Sequence, residues 1–121
     1  MKKKFISRHF LIGGDWGDEN TIHSHPYEIE LRIKGNILDR HNYLTDLVMV
    51  QEILDETVSC YNDRLLNDLP PFADTNPSLE IFSRILAEEI SGKLDSASLI
   101  SIEVRLWEND SAWASWEKTF Q

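Results

Sequence analysis

The chain has 121 residues, enough for one domain with a real core and too few for two. Its 21 acidic against 12 basic residues give a formal charge of −9, which removes the basic footprint that non-specific nucleic-acid or anionic-membrane binding requires. The single Cys60 rules out an internal disulfide, and no apolar run approaches the roughly 18 residues of a membrane span. The expectation is a cytoplasmic protein with no nucleic-acid or membrane partner.

In chain order, Phe5 to Ile12 reads as a first strand, with Phe5, Ser7, His9 and Leu11 on one face. Gly13 to Asn20, rich in Gly and Asp, is an acidic turn-bearing loop. From Ile22 onward the pattern has a period of two. His23, His25, Tyr27, Ile29, Leu31 and Ile33 share one face, while Ser24, Pro26, Glu28, Glu30, Arg32 and Lys34 share the other. That is a half-buried strand, and it ends near Gly35-Asn36. Strand, loop and strand form a hairpin that would set His9 beside His23 and His25.

Residues 37–42 form a mostly polar bridge, in which His41 lies among charged neighbours and reads as solvated. Thr45-Asp46 then caps a helix expected from about Asp46 to Leu66, with Leu47, Val50, Leu54, Val58 and Tyr61 at helical spacing. Cys60, within it, is expected to be a small buried residue. Asn67 to Phe72, containing Pro70-Pro71, breaks the pattern. A second helix is predicted to open at Asn76-Pro77, an N-cap followed by proline at the first position. It turns Ile81, Phe82, Ile85, Leu86 and Ile90 inward and stops at Gly92.

Ile100, Ile102, Val104 and Leu106 then alternate with Ser101, Glu103, Arg105 and Trp107 in a third strand. Its apolar row runs straight on to Glu108, a costly place for a carboxylate unless it is paired. After the turn Asn109-Asp110-Ser111, Ala112 to Phe120 forms the last strand. The order ββααββ predicts an α+β fold, a four-stranded antiparallel sheet with two helices on one face. Unpaired edge strands, with Trp113 and Trp116 near one of them, predict a homo-oligomer.

Three of the four histidines, His9, His23 and His25, fall on the inward faces of adjacent strands. In His-x-His the rings stand about 7 Å apart along the strand, close enough to reach one ion at bonds of about 2 Å. Three imidazoles with a fourth position open are the ligand set of a catalytic zinc.

Six motifs, in order, carry a family likeness. Phe5-Ile6-Ser7-Arg8-His9 is similar to an opening strand with a first zinc ligand, and His23-Ser24-His25 to a His-Gly-His motif. Tyr43-Leu44-Thr45-Asp46 matches a segment with Asp before the first helix, and Leu65-Leu66-Asn67 a Leu-Asn after it. Asn76-Pro77-Ser78-Leu79-Glu80 looks like Asn-Pro-Thr-x-Glu, and Leu106-Trp107-Glu108-Asn109 is similar to a Glu-Thr motif. In these the chain resembles the 6-pyruvoyl-tetrahydropterin synthase family, including its 6-carboxy-tetrahydropterin synthase branch from queuosine biosynthesis. The resemblance covers nearly the whole chain.

The resemblance implies the tunnelling fold, in which trimers close a barrel and two trimers often stack into a hexamer. It implies a pterin substrate, 7,8-dihydroneopterin triphosphate, bound between subunits. Zn2+ would be held by His9, His23 and His25 against the side-chain hydroxyls of that substrate. Glu108 would accept hydrogen bonds from the pterin ring N–H and amino group, and Ser78, at the Thr position, would be a further pterin contact.

Two departures bear on the chemistry. The family's catalytic Cys, four residues before the first His of His-x-His, is replaced here by Glu19, and its Asp-His pair reads Asn62-Asp63. A branch of the family with Glu at that position is associated with side-chain cleavage to 6-hydroxymethyl-7,8-dihydropterin. Glu19 is then the candidate general base, provided burial raises its pKa, and Asp63 a replacement proton carrier. The alternatives are a non-catalytic metal- and pterin-binding member, and a small cupin-like barrel, which two long helical stripes argue against.

Overall fold

The strand carrying the paired histidines is the longest in the sheet. In the computed structural model, which describes residues 1–120, β2 runs from His23 to Gly35. It pairs antiparallel with β1 (Lys2–His9) on one side and β3 (Leu99–Trp107) on the other. β4 (Trp113–Thr119) adds to β3, so the sheet order is β1-β2-β3-β4, each strand beside its sequence neighbour. The helices α1 (Leu47–Ser59) and α2 (Leu79–Lys93) lie between the two hairpins in sequence.

Alternation in β2 sets the layers. Tyr27, Ile29 and Leu31 are buried, and across the sheet they join Phe5, Ile102, Val104 and Leu106. The helices bring Val50, Leu54, Val58, Phe82, Leu86 and Ile90 onto the same face. Burying each such side chain contributes roughly 1.5–3 kcal/mol. At the histidine end, Phe5, Tyr27, Phe82, Tyr61 and Phe72 pack as a chain of stacked and edge-on rings, with neighbouring centroids 5.2–6.2 Å apart. The floor below the histidines is therefore stiff and apolar.

Several elements depart from the sequence pattern. β1 begins earlier and ends at His9 rather than Ile12, because Phe10 and Ile12 bond to asparagine side chains and not to a strand. α1 ends at Ser59 and not near Leu66. Asp63 takes a left-handed backbone (φ 59°), which turns the chain out of the helix and along the outer edge of β1. There Asp63 N–H donates to the Ile6 carbonyl at 2.7 Å and Arg8 N–H to the Arg64 carbonyl at 2.9 Å. Tyr61 kept the helical spacing alive in the sequence because it is buried anyway, its hydroxyl donating to Glu89 at 2.5 Å. Cys60 is exposed, not buried: it follows the last residue of α1, and its thiol lies against the Glu56 carbonyl at 3.5 Å.

α2 is capped by Ser78, whose Oγ accepts from Ile81 N–H, and it runs past Gly92 to Lys93. Asn76, the expected cap, is used elsewhere. Ile100 is 43% exposed while Leu99 and Ser101 are buried. A register shift opposite Lys34 and Gly35 breaks the alternation there. A Cβ on Gly35 would press on the Leu44 side chain and stand 2.8 Å from the Ser98 carbonyl oxygen, so the bulge accepts only glycine without rearrangement.

Candidate metal centre and active site

Register delivers the three imidazoles. His9 lies opposite His23 in the β1–β2 ladder, and Ser7 opposite His25. Two-residue periodicity then puts all three rings on the helix-side face. Their centroids are 4.5 Å (His9–His23), 5.4 Å (His9–His25) and 6.1 Å (His23–His25) apart. The backbone thus gathers the three rings at one end of the first hairpin.

Each ring has its Nδ1 occupied on the side away from its fellows. His23 Nδ1 is 2.9 Å from the Thr21 carbonyl, His25 Nδ1 is 3.3 Å from the Pro26 carbonyl, and His9 Nδ1 is 3.0 Å from the Tyr27 hydroxyl. A carbonyl only accepts, so His23 and His25 each donate from Nδ1 and turn Nε2 toward the site. Tyr27 was legible in the sequence as an inward residue two places after His25, but only as core. Its hydroxyl against His9 is visible only in three dimensions.

Glu19 comes from a 3-10 turn (Gly17–Asn20) that folds back over the strand ends. Its Oε2 lies 3.1 Å from His23 Nε2, yet His23 Nε2 is sealed from solvent and makes no well-aligned hydrogen bond. An imidazole Nε2 and a carboxylate oxygen at that distance suit a shared cation, whether a proton or a metal ion. Among the described residues, one group of three His, Cys, Asp or Glu side chains has ligand atoms all within 4.8 Å of one another: His9, Glu19 and His23. The donor set thus fits a divalent ion of the zinc type, with His25 bordering it. Glu19 is 54% exposed within one chain, so the burial expected of a tuned base is not supplied by this chain alone.

Charge and burial shape the neighbours. Desolvation, with repulsion from His23 and His25, lowers the His9 pKa to about 4, so this imidazole stays neutral. Burial first, then the nearby Glu108 and Glu19 charges, raises the Tyr27 phenol and keeps it protonated. Glu108 follows β3 and is brought to the site: its Oε2 is 3.9 Å from His25 Nε2. Glu108 also lines a cleft of about 430 Å³ with Tyr27, Trp107, Lys2, Lys4 and Asn109.

Among the described residues, no hydrogen bond or ion pair joins Asp63 or Ser78 to the imidazoles. Asp63 is held beside Ile6 on the outer edge of β1, and Ser78 spends its hydroxyl capping α2. His41 is exposed in the bridge, as its charged neighbours suggested.

A sequential four-stranded antiparallel sheet, backed on one face by two consecutive helices and carrying histidines at the end of its first hairpin, defines a tunnelling-fold protein. The chain belongs to the 6-pyruvoyl tetrahydropterin synthase family, whose model matches residues 1–119. The 6-pyruvoyl tetrahydropterin synthase of Plasmodium vivax superposes with a TM-score of 0.80 at 16% identity, covering 99% of each chain. That of Caenorhabditis elegans gives 0.79 at 14% identity, covering 98% of this chain and 93% of its own. A Plasmodium vivax variant in which a glutamate named as a catalytic residue is replaced by alanine gives 0.78 at 14% identity over 99% of each chain. No curated protein matches the chain in sequence. No helix among the described residues is long and apolar enough to cross a membrane.

Proposed function

We propose that this chain is a zinc-dependent pterin enzyme that acts on 7,8-dihydroneopterin triphosphate or a related dihydropterin and uses Glu19 as general base. The observation that carries the reading is the convergence of three imidazoles whose Nδ1 atoms are all engaged elsewhere, with the orphaned His23 Nε2 facing the Glu19 carboxylate. His9, His23 and His25 would hold the ion. Bound there, it would supply Lewis acidity that makes a substrate hydroxyl proton easier to remove.

The chain's own groups do the rest. Glu108, 3.9 Å from His25, accepts hydrogen bonds from the pterin ring N–H and amino group and fixes the ring. Glu19, on the opposite side of the imidazoles, takes the proton from a side-chain hydroxyl. Loss of that proton drives cleavage of the adjacent carbon–carbon bond, and the bond's electrons pass into the pterin ring. The aldehyde carrying the phosphates leaves, and return of the proton from Glu19 to the ring-side carbon, as the electrons come back from the ring, gives 6-hydroxymethyl-dihydropterin. A catalytic glutamate in the Plasmodium vivax relative supports this role for a carboxylate in the family. Asp63 enters this scheme only if a neighbouring subunit presents it, which the proposed trimer or hexamer would allow. The assembly is supported by the exposed Trp113 and Trp116 on the last strand.

Metal analysis is expected to give about one zinc per chain. Incubation with dihydroneopterin triphosphate should yield 6-hydroxymethyl-dihydropterin by mass. Zinc and tight pterin binding without any product would establish the non-catalytic reading instead, and no zinc would refute both.

A further inference from the structure

Two sequence motifs remain without a role in this scheme: the Leu-Asn at Leu66-Asn67 and the Asn-Pro at Asn76-Pro77. Both asparagines end on the same three residues. Asn67 Oδ1 accepts from Phe10 N–H at 2.9 Å while its Nδ2 donates to the Phe10 carbonyl at 2.9 Å. Asn76 repeats the pattern on Ile12, accepting from the N–H at 2.7 Å and donating to the carbonyl at 3.2 Å. A carboxamide offers one donor and one acceptor side by side, as a peptide unit does, so each Asn stands in for a residue of a neighbouring strand.

Between these two anchors, Leu11 faces the other way. Its N–H donates to the Glu19 carbonyl at 2.8 Å, and its own carbonyl accepts from Asn20 Nδ2 at 3.1 Å. Asn20 also donates to the Gly14 carbonyl at 3.0 Å and accepts from Trp16 N–H at 2.7 Å, closing the loop on itself. Trp16 Nε1 adds a bond to the Ile12 carbonyl at 3.0 Å. The path runs from the helical layer, through two side-chain amides, to the backbone of Glu19.

We infer that Asn67 and Asn76 are positioning residues that clamp residues 10–12 and so hold the Glu19 carboxylate over the imidazoles. The imidazoles themselves need no such help, because β1 and β2 pair directly. An exposed, glycine-bearing loop does need it. Without the clamp, Glu19 would share the mobility of a short polar loop and would meet a substrate hydroxyl only part of the time. The inference rests on Glu19 as the base, but its structural half can be read without turnover.

The test uses the zinc-loaded full chain with Asn76→Ala and Asn67→Ala. Amide exchange at Leu11 is expected to accelerate at least about tenfold, while amides in β2 keep their wild-type protection. Zinc content should stay at the wild-type value. kcat is expected to fall roughly 10²-fold with KM little changed, the size of effect that misplacing a catalytic group produces.

Unchanged Leu11 exchange in a folded variant would overturn the inference. So would a loss of protection spread evenly over β1 and β2, which a merely structural role predicts, or an unchanged kcat. If an alanine variant does not fold, Asn76→Asp replaces it. The aspartate keeps the acceptor for Ile12 N–H, loses the donor, and should give an intermediate Leu11 rate. Should the wild type lack turnover, the proposed function fails, and the clamp still stands or falls on Leu11 exchange.

Discussion

The two sides of the site are held by different means. On one side, three imidazoles hang from paired strands, and their positions follow from alternation and register: His9 opposite His23, His25 two residues on. On the other, Glu19 rides a 3-10 turn whose hold on the fold passes through Asn67 and Asn76, each bonded to backbone more than fifty residues away, at separations of 57 and 64. Ligands for an ion need fixed mutual geometry before the ion arrives. A proton-transferring group needs a position that a loop can adjust. Sheet and loop therefore divide the work by stiffness, and the two should respond differently to mutation.

The largest expected effect separates them cleanly. Glu19→Gln keeps the shape and removes the basicity, so turnover is expected to fall by roughly 10²–10⁴-fold while zinc stays bound. Steady-state rates beside metal content check this. Loss of zinc in that variant would make Glu19 a ligand, which its inclusion with His9 and His23 within 4.8 Å also permits, and would erase the division.

On the sheet side, the next effect is a pH dependence of stability in metal-free protein. His9 has its pKa lowered to about 4 by burial and by its two imidazole neighbours, against 6.5 when unfolded. Below 6.5 the unfolded chain binds a proton that the folded chain refuses, so stability falls as pH drops from 6.5 towards 4. The interval corresponds to roughly 3 kcal/mol. Urea titrations of the apo-protein across that range should show the slope, and His9→Gln should flatten it. A slope that survives the substitution would assign the effect to other groups.

How much of this was readable in the sequence follows the same division. The His23–Ile33 alternation and the hairpin to His9 rest on a period-two rule that nothing nearby disturbs, and the structure agrees with them. Glu108 stands out in the sequence as a carboxylate at the end of a buried row, and in the fold it lies 3.9 Å from His25. What escaped depends on side chains bonding to distant backbone. Nothing local says that Asn76 would leave its helix to Ser78 and hold Ile12, or that Asp63 would turn left-handed and end α1 seven residues before Leu66. Ile100 departs from the alternation for a related reason: the register shift opposite Lys34/Gly35 lies where Gly35 passes close to Ser98 and Leu44, contacts that the strand's own pattern does not reveal.

A smaller effect probes the sheet side at one atom. Tyr27→Phe removes the hydroxyl 3.0 Å from His9 Nδ1 and little else, since the ring still packs on Phe5 and His25. Losing the group that orients a ligating histidine typically costs 10–100-fold in metal affinity, and competition with a chelator would measure it. Leu11 exchange should not change, because the Tyr27 hydroxyl is bonded to His9 and not to the backbone of the Glu19 loop.

The smallest effect tests whether either side depends on general stability. Asp46 caps α1, its carboxylate accepting from Val48 N–H at 2.9 Å and, more weakly, from Met49 N–H at 3.4 Å. Asp46→Ala should cost about 1 kcal/mol in urea unfolding. That loss is spread over the whole cooperative unit, so zinc affinity and kcat should stay at wild-type values well below the unfolding midpoint. If kcat fell with stability while zinc binding did not, the Glu19 loop would be unfolding ahead of the sheet. The clamp would then be the weakest joint of the molecule, and the contrast between sheet and loop would be one of stability as well as of geometry.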